Sequence, residues 1–482
     1  MLSKGLVFRA RARELASDNR GVTAIVTGIA LTVILGFAGL AIDVAAWLNA
    51  TRGLQAAADQ AAYSAAGAAG VNTCPNDTAT KQARAVAATH GYVNGQNDTT
   101  VGVDCGSDSA SFRVTISQIQ PMWFARLFLS NAPVASRSAT AQIAGQQSDL
   151  CILALDGTNP SEAYIGSDSN AMYVTGSSAV DVGCGVAVDS SNVSSLGVGS
   201  NASSMKATDI YLVGDDQAGS SGFTPNLTAT GCSTCNPVIP PNQILKNQRP
   251  VIDPYAARTV PAHSCPSSPT QVSVGSTLSP SMGNGTGTTS GVGVFCGGLH
   301  IPTVNGVSTV TVNCGTYVVA GGTLDIDQNV KVLQSTACTT GVTFILTNSR
   351  PGASDYANVS YQGNNSGKLI LTAPNSGPYS GLVFFQDREA PNPNVGSNNN
   401  TTCGSGAAQN KITGQGQVAL NGAIYFPAQV LCFGGGSRTD SANKCTQVIA
   451  YNINFTGNAG INSQCAGVGI TAISVTVPRL IK

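Results

Sequence analysis

Charged residues are scarce in this sequence. Only 10% of its 482 residues are Asp, Glu, Lys or Arg, against about 25% in an ordinary soluble domain. Neither sign is in excess, because 24 Lys and Arg face 24 Asp and Glu. Nucleic-acid binding needs a surplus of Lys and Arg to meet the phosphates, so the composition excludes nucleic acid from the expected partners.

The usual sequence signs of catalysis are also missing. The chain has three His, and none belongs to an HExxH motif. There is no GxSxG elbow, no P-loop and no GxGxxG motif that opens a helix. We therefore predict a protein that is not an enzyme, with no cofactor and no metal site.

Residues 21–42 form one long apolar run without charge. As a helix it is about 33 Å long, enough to cross a hydrocarbon core of roughly 30 Å. A secretory signal peptide is the alternative, but its apolar region would be shorter and followed by a small-residue cleavage site. The basic residues of 1–20 predict a cytoplasmic segment there, a transmembrane helix at 21–43, and all later residues on the other side.

Three residues of this span are predicted to serve helix packing. Gly36 and Gly39 have small side chains that let a neighbouring helix approach closely. Asp43 lies at the outer end of the span, where its carboxylate can reach the interface or bind a partner helix.

Cysteine is absent from the first 73 residues, and all 14 cysteines lie between Cys74 and Cys465. This distribution fits an oxidising compartment beyond the membrane. Cys74 and Cys105 bracket a predicted helix and are natural disulfide partners. For the others the simplest pairing is between sequence neighbours among Cys151, Cys184, Cys232, Cys235, Cys265, Cys296, Cys314, Cys338, Cys403, Cys432, Cys445 and Cys465. The pair at 232 and 235 has redox spacing, but a Pro/Gly-rich loop favours a structural staple.

Residues 44–147 are predicted to form a helical stalk and a small α+β module. The alanine-rich stretch 55–69 continues the first helix. A short helix is predicted at 78–90, and alternation of apolar residues predicts strands at 111–119 and 133–143. This order of elements looks like a pilin-type arrangement.

Residues 148–482 are predicted to be mainly β, because short apolar stretches alternate with Gly, Asn and Ser turns. A sandwich, a propeller and a parallel β-helix are all compatible. We favour a right-handed parallel β-helix, in which each turn covers the next. Nine of the 22 Pro lie between Pro225 and Pro269, so 225–270 is predicted to be a linker or surface excursion between a first part, 148–224, and a second part, 271–482.

Three weak motifs remain in the β region. Asp325, Asp327 and Asn329 begin like a calcium loop, but the later positions of that loop do not fit, which favours turn residues. Asp387, Arg388 and Glu389 end an apolar strand, where a solvated edge or ion pair is the simpler explanation. Asn-rich turns such as 398–400 suit glycan contacts and plain turns alike.

Residues 18–69 resemble the N-terminal segment of Tad, or Flp-type, pilus-assembly proteins of the TadE/TadG-like group. The matching positions are RG at 20–21, GLAID at 39–43 and LQAAAD at 54–59, and the last is the most specific. The resemblance implies a component of the bacterial inner membrane whose N-terminal helix packs against other pilus or pilin-like subunits.

One departure from the group is informative. Prepilin-like members are cleaved after a Gly and carry Glu at the fifth residue of the mature chain. Cleavage after Gly21 would place Val26 there. The resemblance therefore implies the larger, anchored TadG-like branch.

Together these observations predict a non-catalytic, membrane-anchored component that acts in assembly, anchoring or surface attachment of a Tad pilus. The β region would lie in the periplasm or outside the cell. One alternative is a membrane-tethered adhesin or glycan-binding β-helix module, with surface glycans as partners. A polysaccharide-active enzyme built on Asp387 is the other alternative.

Overall fold

The structure is a computed structural model. It describes residues 20–69, 74–107, 109, 111–156, 171–175, 179–192, 194–198, 204–216, 227–230, 244–246, 248, 250–287, 289, 291–303, 308–391, 410–434, 445–456, 459–461 and 469–481. These residues divide into two compact units, one of residues 1–145 with 476–482 and one of residues 146–475.

The described part of the first unit contains two α-helices and an antiparallel sheet. Its elements are α1 (Arg20–Ala69), α2 (Asp77–Thr89), β1 (Thr99–Cys105), β2 (Ser111–Ile119), a 3₁₀ helix (Ala125–Leu127) and β3 (Val134–Ala154). β2 lies between β1 and β3 in the sheet. The helix predicted at 78–90 and the strands predicted at 111–119 and 133–143 are thus present.

Small side chains build the core of this unit. Asn76 caps the N-terminus of α2. Its side chain accepts a hydrogen bond from the N–H of Ala79, as a helix N-cap requires. Ala79, Ala83 and Ala87 share the buried face of α2 because residues three and four apart lie on one side of a helix. They pack with the alanines of α1 and the apolar face of the sheet in one core cluster.

The second unit is built mostly from short strands, whereas the last strand of the chain (Ile473–Ile481) lies mostly in the first unit. Those after β3 are β4 (Met172–Thr175), β5 (Ala179–Val182), β6 (Gly185–Val188), β7 (Leu196–Val198), β8 (Ser204–Ala207), β9 (Ile210–Leu212), β10 (Leu227–Ala229), β11 (Ile244–Leu245), β12 (His263–Ser264), β13 (Val272–Ser273), β14 (Thr277–Leu278), β15 (Thr286–Gly287), β16 (Val292–Cys296), β17 (Leu299–Ile301), β18 (Thr309–Val312), β19 (Gly315–Ala320), β20 (Thr323–Ile326), β21 (Lys331–Gln334), β22 (Val342–Thr347), β23 (Asn358–Gly363), β24 (Lys368–Thr372), β25 (Leu382–Gln386), β26 (Asn410–Gly414), β27 (Gln417–Gly434), β28 (Thr446–Thr456), β29 (Ala459–Ile461) and β30 (Ile473–Ile481), with a 3₁₀ helix at Pro280–Met282.

Most of these strands pair in parallel in three ladders. Ladder A contains β16, β19, β22, β25, β27, β28, the end of β3, β6, β9 and β11. Ladder B contains β13, β17, β20, β23, β26, β27, β28, β4 and β7. Ladder C contains β14, β18, β21, β24 and the start of β27. From β16 to β27 the chain visits A, B and C in that order, turn after turn.

The stretches before and after the Pro-rich segment belong to one sheet. β28 pairs with the end of β3 in ladder A and with β4 in ladder B. A further parallel sheet, of β29, β5, β8 and β10, likewise joins strands from both stretches. β28 and β29 therefore stack directly against strands from the beginning of the β region.

One apolar core runs through the ladders, from Cys151 to Phe455. Within ladder A, the rings of four successive strands stack on one another, with centroids 5.9, 5.0 and 5.7 Å apart. They are Phe295, Tyr317, Phe344 and Phe384. Such stacking lets each turn of the chain extend the core of the turn before it.

The Pro-rich stretch crosses the outer face of ladder A, and we call residues 250–265 the strap. Tyr255 is buried and packs on Tyr425, with ring centroids 5.5 Å apart. Three further contacts hold the strap beside ladder A. The N–H of Val251 donates to Asp189 at 2.8 Å, and the hydroxyl of Tyr379 donates to the Thr259 carbonyl at 2.8 Å. Nε2 of His263 lies 2.9 Å from the Asn348 carbonyl oxygen. Ladder A is therefore covered on both faces.

Disulfides staple neighbouring parts of the chain. The bonds Cys74–Cys105, Cys151–Cys184, Cys265–Cys296 and Cys314–Cys338 each join a cysteine to its neighbour in sequence, where that neighbour is described. Cys432 and Cys445 are also disulfide-bonded. A staple of this kind contributes about 2–4 kcal/mol. Cys232, Cys235, Cys403 and Cys465 lie outside the described residues.

The predicted long apolar N-terminal helix and the large parallel β region are thus confirmed. The boundaries proposed for the domains stay a prediction. The two compact units divide the chain at other places.

Candidate functional site: the N-terminal helix and the loop packed on it

The first half of α1 exposes large apolar side chains around most of its circumference. Nine large residues from Ile25 to Ile42 are more than half exposed, up to 71% for Phe37, whereas Leu40 is half-buried and Gly39 is buried. Val33, Ile34 and Leu35 are consecutive and all exposed. Because consecutive residues point about 100° apart on a helix, this surface is not a single stripe. Among the described residues this is the one helix long and apolar enough to cross a membrane.

The second half of α1 is buried against its own unit. Its buried residues are Leu54, Ala57, Ala58, Ala61, Ala62, Ala65, Ala66 and Ala69. Gln55 donates to Asp59 one turn later at 2.8 Å and to the carbonyl of Ser138 at 3.5 Å. The LQAAAD stretch therefore packs the helix on the sheet of the same chain.

Asp43 lies between these halves and binds a distant part of the chain. Its carboxylate accepts hydrogen bonds from the backbone N–H groups of Trp123, at 3.3 Å, Phe124, at 2.9 Å, and Ala125, at 2.5 Å. Asp43 is fully buried. These three groups begin the 3₁₀ turn of residues 121–129, which we call the WF loop. Their N–H groups have no partner inside the turn, which is why a carboxylate suits them.

Two further contacts hold the WF loop on α1. The indole N–H of Trp47 donates to the carbonyl of Pro121 at 3.0 Å. The ring of Phe124 lies so close to Gly39 that a Cβ there would come within 2.7 Å of it. Only glycine therefore fits at position 39 while the loop stays in place.

The three residues predicted for helix packing have different surroundings. Asp43 and Gly39 both contact the WF loop of the same chain. A Cβ at Gly36 would meet no atom within 4 Å, although Gly36 and Phe128 line one shallow apolar concavity. Packing of these residues against another subunit stays a prediction.

The WF loop itself is apolar and exposed. Trp123 is 56% exposed, Leu127 76% and Phe128 67%. Phe128 lies beside Thr32, Val33, Gly36, Phe37 and Leu40 of α1. The loop thus continues the apolar surface of the first half of α1.

Residues 21–68 match a family model described as Putative Flp pilus-assembly TadE/G-like. Over this segment the chain is similar to TadE/G-like proteins. The resemblance stated for residues 18–69 is therefore confirmed, and it supports a pilus-related role. A comparison with curated proteins and one with solved structures found no match.

The TadE/G-like match ends at about the end of α1, so the WF loop, which α1 holds, lies outside the matched residues. The sequence analysis identified Asp43 but neither the loop that it binds nor the bond from Trp47 to Pro121. Local patterns carry no signal for a contact between residues 82 positions apart.

In the β region, His300, Asp325 and Asp327 come together on neighbouring strands. His300 Nε2 lies 3.2 Å from an oxygen of Asp327 and 3.9 Å from one of Asp325. Burial alone would raise the pKa of Asp327, but the hydrogen bonds from the Thr303 N–H and from His300 outweigh it and lower that pKa. The side-chain nitrogen and oxygen atoms of His300, Asp325 and Asp327 are close enough to bind one metal ion. The contacts between the histidine and the two carboxylates already pair these groups. The sequence analysis interpreted Asp325 and Asp327 as turn residues and did not connect them with His300. In ladder B, His300 lies opposite Asp325.

Asp387, Arg388 and Glu389 are engaged in structural contacts. Asp387 accepts from the hydroxyl of Thr347 at 2.7 Å. Arg388 bonds to Asp253 of the strap and to the hydroxyl of Tyr425. These contacts fasten the strap to ladder A. Asn398–400 lies outside the described residues.

Proposed function

We propose that this protein is a non-catalytic component of a Tad/Flp-type pilus system, anchored in the bacterial inner membrane by the first half of α1. The TadE/G-like domain supports the pilus role. The observation that carries the anchoring is the exposure of large apolar residues between Ile25 and Ile42 on every face except the one that the WF loop covers. An apolar helix of a water-soluble protein hides most of its apolar surface in a core, whereas a lipid bilayer solvates such a surface.

The proposed topology places residues 1–20 in the cytoplasm and all residues after Asp43 in the periplasm or outside the cell. Support comes from the basic residues before the span and from the disulfides, which all follow it. The size of the chain and Val26 at the position of the prepilin Glu favour the anchored TadG-like branch.

We further propose that the β region is a right-handed parallel β-helix. The repeated passage of the chain through ladders A, B and C supports a coil, and right-handed connections between parallel strands are the rule. Such a rigid rod would project from the membrane and present long faces to other pilus subunits or to surface glycans.

The absence of an enzymatic role is part of this proposal. Asp387, the residue on which a glycan-cleaving role would rest, bonds to Thr347, and Arg388 bonds to Asp253. Arg388 holds the strap, and Asp387 holds Thr347 of β22. Asp387→Ala should accordingly leave polysaccharides uncleaved at the same background level as the unmodified protein.

The test is the location and mass of a C-terminally tagged full-length chain. Cells are sheared to release pili, their membranes are fractionated, and added protease probes the periplasmic side of spheroplasts. We expect a full-length tagged protein in the inner membrane, protected from protease only at its N-terminus. A tag in sheared fibres with a chain shorter by about 21 residues would show processing and incorporation, and a tag in the soluble fraction would exclude the anchor.

A further inference from the structure

We infer that the WF loop, residues 121–129, is a second membrane-inserted element, buried in the outer leaflet beside α1 and fastened there by Asp43. This inference rests on the proposed crossing of the membrane by α1. The WF loop contacts the acyl chains of the lipid, because its Trp, Phe and Leu side chains are exposed.

The position of the loop along α1 is the first argument. Phe128 lies beside Val33, Gly36 and Leu40, all of which precede Asp43 in the helix. At a rise of 1.5 Å per residue, Gly36 is about 10 Å from Asp43 toward the membrane centre. If the helix spans the bilayer with Asp43 at its outer boundary, the tip of the loop has to lie among acyl chains.

Six backbone N–H groups of the loop are paired, as that environment demands. Irregular backbone at membrane depth is tolerated only where its polar groups are paired. The N–H groups of residues 123–125 bond to the buried Asp43 carboxylate. Those of Leu127, Phe128 and Leu129 bond to carbonyls of Phe124 and Ala125 at 2.8–3.1 Å.

The side chains of the loop fit lipid better than a second protein. The apolar surface surrounds α1, as the exposure of Val33, Ile34 and Leu35 shows, and the loop extends it. A partner helix would cover one stripe only. Arg126 is the one charged residue of the loop, and its long side chain can reach the headgroups from a shallow position.

The chain has two tryptophans, Trp47 and Trp123, which makes fluorescence quenching by brominated lipids a direct test. The full-length protein is placed in phosphatidylcholine vesicles with bromine on the acyl chains. Trp47 is kept because its indole bonds to the loop, and the difference between the unmodified protein and Trp123→Phe gives the quenching of Trp123, the native reporter of the loop. In the Trp123→Phe background, single additions of Phe37→Trp, Phe128→Trp and Tyr63→Trp report on the helix, the loop tip and an extramembrane site.

We expect Phe128→Trp to be quenched about as strongly as Phe37→Trp, Trp123 to be quenched as well, and Tyr63→Trp to be unaffected. Quenching of Phe37→Trp without quenching of either loop reporter would overturn the inference and leave the anchored helix intact. A second protein copy covering the loop would give that same result. If the Phe37→Trp reporter is unquenched too, the proposed membrane crossing fails with it.

Discussion

The first half of α1 and the strands of ladder A are both runs of consecutive apolar residues, and their surroundings are opposite. All six residues of β22 are buried, whereas Val33, Ile34 and Leu35 of α1 are all exposed. Protein covers both faces of β22. The apolar core covers one face, and residues near the strap cover the other. A consecutive apolar run thus has two physical solutions, burial between layers of protein or solvation by lipid.

The two halves of α1 extend this comparison within one helix. The exposed half is rich in Ile, Leu, Val and Phe, and the buried half consists largely of Ala. Small side chains allow α2 and the sheet to approach closely. Large ones expose more apolar surface. Side-chain size therefore separates the exposed half from the protein-facing half.

The largest expected effect comes from one substitution made in both environments. Phe385 of ladder A is 1% exposed and stacks on Tyr425 with centroids 5.4 Å apart. Phe385→Ala should lower the free energy of unfolding of the β region by about 3–5 kcal/mol, because it leaves a cavity. Thermal unfolding of the full chain in detergent, followed by circular dichroism, measures this. Phe37→Ala, on the exposed half of α1, is the matched control and should leave the β-region transition unchanged; equal shifts would contradict the comparison.

A charge in the middle of the exposed half is expected to have the next largest effect. Ile34→Lys places an ammonium group near the centre of the span and should cost about 2.5–3.5 kcal/mol of membrane insertion. The measurement is the inserted fraction of full-length protein after carbonate extraction of membranes. Ala56→Lys, at an exposed position of the second half, should insert normally, and unchanged insertion of Ile34→Lys would argue against a lipid-facing helix.

The contact between Asp43 and the WF loop gives a more local effect. Asp43→Asn replaces one acceptor oxygen by an NH₂ group that faces backbone N–H donors. Amide hydrogen exchange at residues 123–125 should become faster, while β1 and β2 keep their protection. Asp104→Asn removes the same charge from an exposed site of β1 and should change nothing in the loop. If amide hydrogen exchange in the WF loop is equally fast in both variants, Asp43 does not hold the loop.

Much of the fold follows from local patterns. The alternation over 111–119 predicts the bounds of β2, and the apolar run at 342–347 predicts those of β22. In these strands the side-chain period and the burial agree. Described disulfides join neighbouring cysteines for a related reason, since successive turns of the chain lie side by side.

The contacts that the sequence did not reveal depend on register. His300 meets Asp325 because of how many residues each turn of the chain contains, and that number varies along the ladders. Likewise, proline content predicts an extended excursion at 225–270 but not that Tyr255 fills a space beside Tyr425. Such contacts depend on tertiary packing, which local propensity does not encode.

The smallest expected effect concerns a carboxylate buried just after β6, where ladder A leaves no solvent. Burial raises the pKa of Asp189 well above its usual range, the N–H of Val251 opposes this in part, and the charges of Asp253 and Asp156 add to it. A carboxyl with a raised pKa in the folded state contributes stability that is full below the unfolded-state value of about 3.9 and is lost as the pH rises through the folded-state value. Asp189→Asn keeps an acceptor for Val251 and removes the titration, so its melting temperature relative to the unmodified protein should increase from about pH 4 to neutral pH. Asp181→Asn, at a side chain that is 65% exposed, should show no such trend, and a pH-independent difference for Asp189→Asn would mean that water or a partner group stabilises the charge.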